Sequence, residues 1–462
     1  MNGVCKFGKF ISLKNNFKTP TKFFNSSIYD IPRKIKGFEE PTIWYKFSRL
    51  AMVTNSVNLG QGFPDWNTPE FVLESLTKHV TDPKANHQYT RSFGNLKLAD
   101  SVAKKYSKIF DRKINSLNEI LISNGAVNIL YNVITGLVRE GDEVIVLEPF
   151  YDCYLPQAKF SGGKVIGVPM IPPDFIEKPK LENLTTHKII KNDWKIDLEK
   201  LEKSFTDKTR LLILNTPNNP TGKILSYQEL NEIAKIVKKY SNVVVVVDEV
   251  YEHMIFDLYT ELPRMANVEG MWDRTISIMS PGKFFSATGI RIGWCIGPQK
   301  LLQIVNTIHQ YNSFCLYDPA QLAISDSLEI AEQPYKGFPN YYLWLRNHYL
   351  ESRNYFVNNL SKLKSFDSNF YLPEGGYFVI ADISNKKNEV KYSFEGEEIE
   401  KNNYSKDFNY LLNLAHEKHI VGIPCSPFYT SQNKSSGERF IRLAFCKKKE
   451  TMDKAFEHFN KF

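Results

Sequence analysis

Residues 243–248 read Val-Val-Val-Val-Val-Asp. Five β-branched side chains in succession favour extended backbone. The run has no polar alternation, so neither face of such a strand can meet water. A strand of this kind belongs inside a mostly parallel sheet covered by helices, with crossover helices joining its members. The surrounding sequence repeats the theme. Ile120–Ser123, Glu143–Leu147, Leu211–Asn215 and Thr275–Met279 read as further strands, and Ser226–Tyr240 carries a helical period between two of them. The predicted fold class is α/β.

The chain has 462 residues, of which 42% are hydrophobic, more than one small core takes up and enough for two. The last hundred or so residues carry fewer buried strands and more amphipathic helix, which predicts a second, smaller α+β domain. The expected divisions are a basic extension over 1–30, an arm and part of the small domain over 31–75, a large domain over 76–328 and the small domain over 329–462. Pro172–Asp193 and Asn385–Lys406 are polar and irregular and read as solvated surface insertions. There is no internal repeat. No apolar run reaches the roughly 18 residues that a membrane-spanning helix needs, so no span is expected.

The net charge of +8 is unevenly placed. Residues 1–36 hold seven Lys and one Arg against one Asp, a balance of +7, which leaves +1 for the rest. The body therefore gives no electrostatic reason to expect nucleic-acid binding. Met1–Tyr29 has no acidic residue and interleaves Phe7, Phe10, Ile11, Leu13 and Phe17 with Lys6, Lys9, Lys14 and Lys18. An organelle transit peptide and an unaddressed basic leader both fit that pattern. Cys5, Cys153, Cys295, Cys315, Cys425 and Cys446 form no CxxC pair. That argues against zinc and dithiol motifs and for a reducing compartment, cytosol or mitochondrial matrix. No metal site is expected.

Chemistry-bearing residues follow the strands, where open α/β sheets build their sites. Asp248 closes the valine run, and a carboxylate there is costly without a cationic partner. Tyr251 follows three residues on. Taken alone, Asp248 reads more readily as the cap of a following helix. The loop Asn215-Thr-Pro-Asn-Asn-Pro-Thr-Gly222 follows another strand and presents Asn219, or is an ordinary turn. Ser280-Pro-Gly-Lys283 follows a third, with Arg291 eight residues later. A hydroxyl and two cations suit a phosphate and an aldehyde, or a solvated basic loop. Gly125-Ala126 separates a strand from a helix starting near Val127, whose free N–H groups would attract phosphate. Together these are what pyridoxal phosphate asks of a protein: a lysine for an imine, an acid for the pyridine nitrogen, a donor for the phenolic oxygen and a phosphate cradle.

In this order, the set resembles the class I and II aminotransferases, and within them the kynurenine aminotransferase, glutamine transaminase K and cysteine-conjugate β-lyase family. The resemblance runs from about Pro32 to the C-terminus. It is most specific in Asn58-Leu-Gly-Gln-Gly-Phe-Pro-Asp65, Gln88-Tyr-Thr90, Glu148-Pro-Phe-Tyr-Asp-Cys-Tyr154, Asn215–Gly222, Asp248–Tyr251, Ser280–Gly289, Pro373-Glu-Gly-Gly-Tyr-Phe378 and Phe440-Ile-Arg-Leu443. It implies the PLP-dependent transferase fold type I, with a mostly parallel seven-stranded sheet in the large domain. By the same resemblance Lys283 carries the cofactor, Asp248 holds its pyridinium, and Tyr251 and Asn219 bind its phenolic oxygen. Ser280, Arg291 and the N–H groups near Gly125 and Ala126 hold the phosphate, and Tyr151 covers the ring. Arg442 grips the substrate carboxylate, helped by Asn219 and the backbone of Gly60, while Trp44, Phe314 and Cys315 line the side-chain pocket. Tyr89 reaches the neighbouring subunit's site, which implies a homodimer with shared active sites.

The sequence departs from the family at two places. Gly125-Ala126-Val127 stands where Gly-Gly-Tyr is usual, and Cys315 stands where some relatives carry His. Both bear on substrate range more than on core chemistry. The activity implied is transfer of an amino group from an L-amino acid, such as kynurenine, glutamine, or an aromatic or sulfur amino acid, to a 2-oxo acid such as 2-oxoglutarate. Cysteine-conjugate β-elimination is implied as a side reaction. A lyase of the aminocyclopropane-carboxylate-synthase type shares the lysine, the Asp and the Tyr, but not Asn58–Trp66 or Glu148–Tyr154. A non-catalytic binding module is disfavoured by the presence of Lys283 and by an extension too short for a helix-turn-helix domain.

Overall fold

A computed structural model describes residues 32, 34–84, 87–173, 189–256, 261–394, 397–399 and 403–461. The basic extension over 1–30 and most of the first predicted insertion lie outside the described residues. Along the chain the strands are β1 (Val57–Asn58), β2 (Ile120–Ser123), β3 (Glu143–Glu148), β4 (Lys164–Pro169), β5 (Ile189–Lys191), β6 (Thr209–Asn215) and β7 (Val244–Asp248). They continue with β8 (Thr275–Met279), β9 (Gly293–Ile296), β10 (Asn369–Leu372), β11 (Phe378–Asp382), β12 (Ile420–Val421), β13 (Ile423–Pro424) and β14 (Phe440–Ala444).

Seven strands form the large sheet in the order β2-β9-β8-β7-β6-β3-β4. β9 is antiparallel to both neighbours, and every other pairing is parallel. The fold is α/β on a mixed, mostly parallel sheet. The valine strand is its middle member, and Val245, Val246 and Val247 are fully buried. Alternation sends Val244 and Val246 to one face, into a core with Ile129, Val133 and Leu137 of the helix Ala126–Leu137. Val245 and Val247 turn to the other face, where Leu230 and Ile233 of the helix Tyr227–Val237 belong to the same core. Ser226 and Glu229 form a reciprocal capping box that fixes the start of that helix.

All five predicted strands are present; β4 and β9 went unread. β4 is a sheet edge interrupted by Gly167, and β9 is a four-residue Gly-Trp-Cys-Ile, too short for a periodic signal. A second sheet has the order β13-β14-β11-β10-β5 and is antiparallel except for the β5–β10 pair. This corrects the expectation that Pro172–Asp193 is only a solvated loop. Its last part is strand β5, with Ile189 and Ile190 buried against a sheet otherwise built from residues after 368. The Asn385–Lys406 insertion is likewise more than solvent-facing. Phe394 packs edge-on against Phe47, and Tyr404 stacks on Phe408. β1 pairs in parallel with β12, Val57 opposite Ile420, which ties an early segment of the chain to a late one. Among the described residues no helix is long and apolar enough to cross a membrane.

Candidate active site

β6 and β7 end in register, Asn215 opposite Asp248, with β8 beside them. A cavity of about 340 Å³ opens at these carboxyl ends, lined by Asn215, Asn219, Asp248, Tyr251, Ser280, Lys283 and Arg291. Ala126, Val127 and Tyr151 line one side, and Trp44, Phe378 and Arg442 another. Residues that the sequence scatters over 400 positions thus meet in one pocket of ligand size.

Asp248 is 4% exposed. The Tyr154 hydroxyl donates to its Oδ2 at 2.6 Å, while its Oδ1 has only the Val250 N–H at 3.4 Å. Burial raises its pKa, opposed by the Tyr154 bond and by the charge on Lys283. The segment after Asp248 is braced from beneath. Arg264 donates to Glu249 and to Glu252, each at 2.5 Å, and all three are buried. Burial pushes the Glu249 carboxyl up to about 7 against the pull of Arg264.

Lys283 sits in the short helix Pro281–Phe284 directly after β8. Burial lowers its pKa to about 8. A lysine so placed is partly neutral near physiological pH, as a nucleophile or base must be. Its Nζ donates to the Tyr377 hydroxyl at 3.2 Å.

Arg291 takes a left-handed backbone, φ 59°, and turns its guanidinium to the carbonyls of Thr288 (3.0 Å) and Asn124 (3.1 Å). That brings it against the start of the helix Ala126–Leu137. A Cβ on Gly125 would lie 2.7 Å from Nη2 of Arg291, so only glycine allows this approach. The first N–H groups of that helix have no intrahelical acceptor, and Ala126 and Val127 face the cavity. Ser280 completes a cationic, donor-rich end suited to a phosphate.

At the opposite end Arg442, in β14, is 1% exposed. Its Nη1 donates to Asn219 Oδ1 at 2.8 Å and its Nη2 to the Gly60 carbonyl at 2.7 Å. Its Nε is buried without a hydrogen-bond partner. The guanidinium lies 3.9 Å from the centroid of the Phe378 ring and 5.0 Å from that of Trp44. Burial lowers its pKa, and among the described residues no carboxylate lies within ion-pair distance of it, although Asp152 acts on it at longer range.

The family profile for aminotransferase class I and II matches residues 54–459. The chain belongs to the class I and II aminotransferases. Among curated members it is 37% identical to a kynurenine–oxoglutarate transaminase of Dictyostelium discoideum, over 92% of this chain and 95% of the relative. It is 35% identical to kynurenine–oxoglutarate transaminase 3 of Homo sapiens, over 99% of this chain and 96% of the relative. Of solved structures, Bna3p of Saccharomyces cerevisiae, a candidate kynurenine aminotransferase, superposes with TM-score 0.82 at 31% identity, covering 94% of this chain and 98% of its own. An Escherichia coli protein with a methionine aminotransferase function gives TM-score 0.78 at 29% identity, covering 94% of this chain and all of its own. These aminotransferases share the PLP-dependent fold type I, and the family implies pyridoxal phosphate as cofactor.

Of the residues expected at the site of this aminotransferase, Gly60 and Gly125 touch Arg442 and Arg291 without lining the cavity, while Tyr89, Phe314 and Cys315 stand apart from it. Tyr89 is 82% exposed, its ring edge-on to Phe314 at 5.1 Å, and Phe314 is itself half exposed. Phe314 sits in a left-handed turn, φ 64°, just past the helix Gln299–Asn312, and Cys315 follows it on the same surface. Neither Phe314 nor Cys315 lines the pocket of its own chain. Other residues contribute without having been predicted. Tyr154 holds Asp248, Tyr377 contacts Lys283, and Asp152 accepts from the Trp44 indole at 2.9 Å. All three lie in quoted motifs. Nothing in their spacing reveals which side chain they meet.

Proposed function

We propose that this aminotransferase binds pyridoxal phosphate in the cavity. It would move the amino group of an L-amino acid, such as kynurenine, glutamine, or an aromatic or sulfur amino acid, to a 2-oxo acid such as 2-oxoglutarate. The observation that carries this is one pocket holding a lysine lowered to about 8, a buried carboxylate and a buried guanidinium whose Nε has no partner. The fit is chemical. Asp248 Oδ1 has a single long contact, which a protonated ring nitrogen would improve, and a carboxylate would satisfy the spare capacity of Arg442.

Bound pyridoxal phosphate supplies an aldehyde that takes up the amino group and a ring that disperses the electron pair left when Cα loses its proton. In this reading Lys283 binds the aldehyde and moves that proton on its Nζ. Asp248 keeps the proton on the ring nitrogen. Tyr251 and Asn219 hold the phenolic oxygen, and Tyr151 covers the ring. Ser280, Arg291 and the N–H groups near Gly125 and Ala126 hold the phosphate. Arg442, Asn219 and Gly60 orient the substrate carboxylate, and Trp44 faces its side chain. The names of the curated relatives support kynurenine as donor and 2-oxoglutarate as acceptor. The same loss of the Cα proton gives β-elimination when Cβ carries a good leaving group, hence a cysteine-conjugate β-lyase side activity. The test is spectroscopic. Donor alone should convert the cofactor, and a 2-oxo acid should restore it. Product release without any need for 2-oxo acid would instead point to a lyase.

A homodimer with shared sites is part of the same proposal, supported by the exposed Tyr89–Phe314 pair with Cys315 beside it. Mixing Tyr89→Phe with Lys283→Ala subunits should yield hybrids with one site free of both changes, and activity should recover. Hybrids that form but stay inactive would place Tyr89 within its own chain's site. The free cysteines at 153, 295, 315, 425 and 446 support a reducing compartment, cytosol or mitochondrial matrix.

A further inference from the structure

Tyr377 immediately precedes β11 and is fully buried. Its hydroxyl stands between the Nζ of Lys283, at 3.2 Å, and the carbonyl of Gly62, at 2.6 Å. A carbonyl can only accept, so the single phenolic proton goes to Gly62. The phenolic oxygen is then left as an acceptor, and Lys283 must be the donor. The chain of donation therefore runs one way, from lysine N–H to phenol to carbonyl. Burial holds the phenol pKa well above its usual value, so it stays neutral. The ring is wedged between Tyr251, Tyr349 and Phe378, with centroids 5.0, 5.8 and 4.7 Å away, and the hydroxyl cannot swing aside.

The acceptor is as firmly built. Asn58 Oδ1 receives the N–H groups of Gly60 (2.9 Å) and Gln61 (3.2 Å), and Lys447 Nζ donates to the carbonyls of Gln61 (3.2 Å) and Phe63 (2.9 Å). A Cβ on Gly62 would fall 2.6 Å from the Phe378 ring, so residue 62 is a glycine because its carbonyl must come this close. The carbonyl two residues earlier in the same turn, that of Gly60, receives Arg442.

We propose that Tyr377 is a positioning residue for Lys283, taking one N–H of the amine and thereby fixing where the nitrogen lone pair points. This rests on the reading of Lys283 as the lysine that moves the Cα proton. In that step the Cα–H bond breaks, the proton bonds to the lone pair of Nζ, and the electron pair stays with the substrate's conjugated system. A neutral phenol oxygen accepts from an amine and from an ammonium alike, so the contact persists as the proton arrives and leaves. A lysine without it would sample the rotamers of a four-carbon stem between transfers. Because Gly60 and Gly62 share one turn, the carboxylate clamp and the proton-carrying amine hang from the same piece of backbone.

Tyr377→Phe removes only the hydroxyl. Two readouts test it on the full chain. The first is the pH dependence of arylation of Lys283 by trinitrobenzenesulfonate after removal of cofactor, followed by peptide mass spectrometry. Cys446, Asp248, Arg442 and Arg291 face Lys283 and are unchanged in the variant, so its midpoint should move to lower pH once the acceptor that favours the ammonium is gone. The second is the half-reaction with donor in the holoenzyme, which should slow about tenfold or more while the saturating donor concentration stays within about twofold. A folded Tyr377→Phe protein that matches wild type in both overturns the proposal and leaves the role of Lys283 standing. Borohydride fixing the cofactor to a different lysine overturns both. Should the Phe variant not fold, 3-fluorotyrosine at 377 keeps the shape and weakens the acceptor. The midpoint should then shift the same way by less, and an unmoved midpoint overturns the proposal.

Discussion

Lys283→Ala is expected to lose turnover by about 10⁴-fold or more while the protein folds and still takes up cofactor. The residue would carry both the covalent link and the proton, and among the described residues no other lysine lines the cavity. Its removal orphans little. Asp248 keeps the Tyr154 bond, and the Tyr377 hydroxyl keeps its bond to Gly62. The cofactor-free variant should even gain stability near neutral pH. The folded-state pKa of Lys283 is about 8, below its ordinary 10.5. Below pH 8 both states carry the proton and the folded state bears the full cost of a buried ammonium. Between 8 and 10.5 the unfolded chain binds more protons, so wild-type stability rises with pH and the cost disappears. Allowing for lost packing, the gain in Lys283→Ala should be at most about 2 kcal/mol at pH 7 and should vanish toward pH 10.5, read from Tm against pH. Borohydride on wild-type holoenzyme should fix the cofactor to Lys283. A reduced cofactor found on any other lysine would sink the assignment, whatever Lys283→Ala does to activity.

Arg442→Lys is expected to lower kcat/KM by roughly ten- to a hundredfold or more for every amino donor. The guanidinium is held by Asn219 and Gly60 and lies 3.9 Å from the centroid of the Phe378 ring, leaving an unpartnered Nε in a buried site. Lysine retains the charge but has neither the fork nor the flat face, and each charge-assisted bond lost is worth about 1.5–3 kcal/mol. All donors share the α-carboxylate, so glutamine, phenylalanine, methionine and kynurenine should suffer alike. Substitutions at Trp44, which lines the cavity beside Arg442, should instead reorder the four, affecting aromatic and large apolar donors most. A panel in which Arg442→Lys barely changes the four rates, or changes only one, would remove Arg442 from the carboxylate site.

The part of the site that was legible in the sequence is the part set by strand ends. A run such as Val243–Val247 declares a buried parallel strand, and in-register parallel strands deliver the residues after them to one edge. Asn219, Asp248, Ser280 and Lys283 could therefore be read as following separate strand ends, and they line one cavity. The contacts of Tyr154, Tyr377 and Arg264 could not be read, because their partners are chosen by packing between elements far apart in the chain. The Arg264–Glu249–Glu252 cluster has no helical or strand period that would announce it. β5 was missed for a related reason: three residues with no alternation become a strand only because β10, some 180 positions on, offers an edge. Phe314 and Cys315 lie outside the pocket of their own chain, past a single left-handed residue that no spacing in the sequence announces.

Strand β5 and its partners have a consequence for how the chain can be made. Ile189–Lys191 pairs with Phe370–Leu372, and Val57–Asn58 pairs with Ile420–Val421. Both early strands must wait for segments synthesised long after them, so neither sheet edge can close until those segments have emerged. The large sheet needs no strand beyond β9, whereas the smaller sheet is complete only once β14 has emerged. Assembly is thus ordered from the middle outward, with the earliest arm and the latest strands joining last. Arg442 lies in that last strand, so the pocket gains its buried guanidinium only after every other described strand has been made.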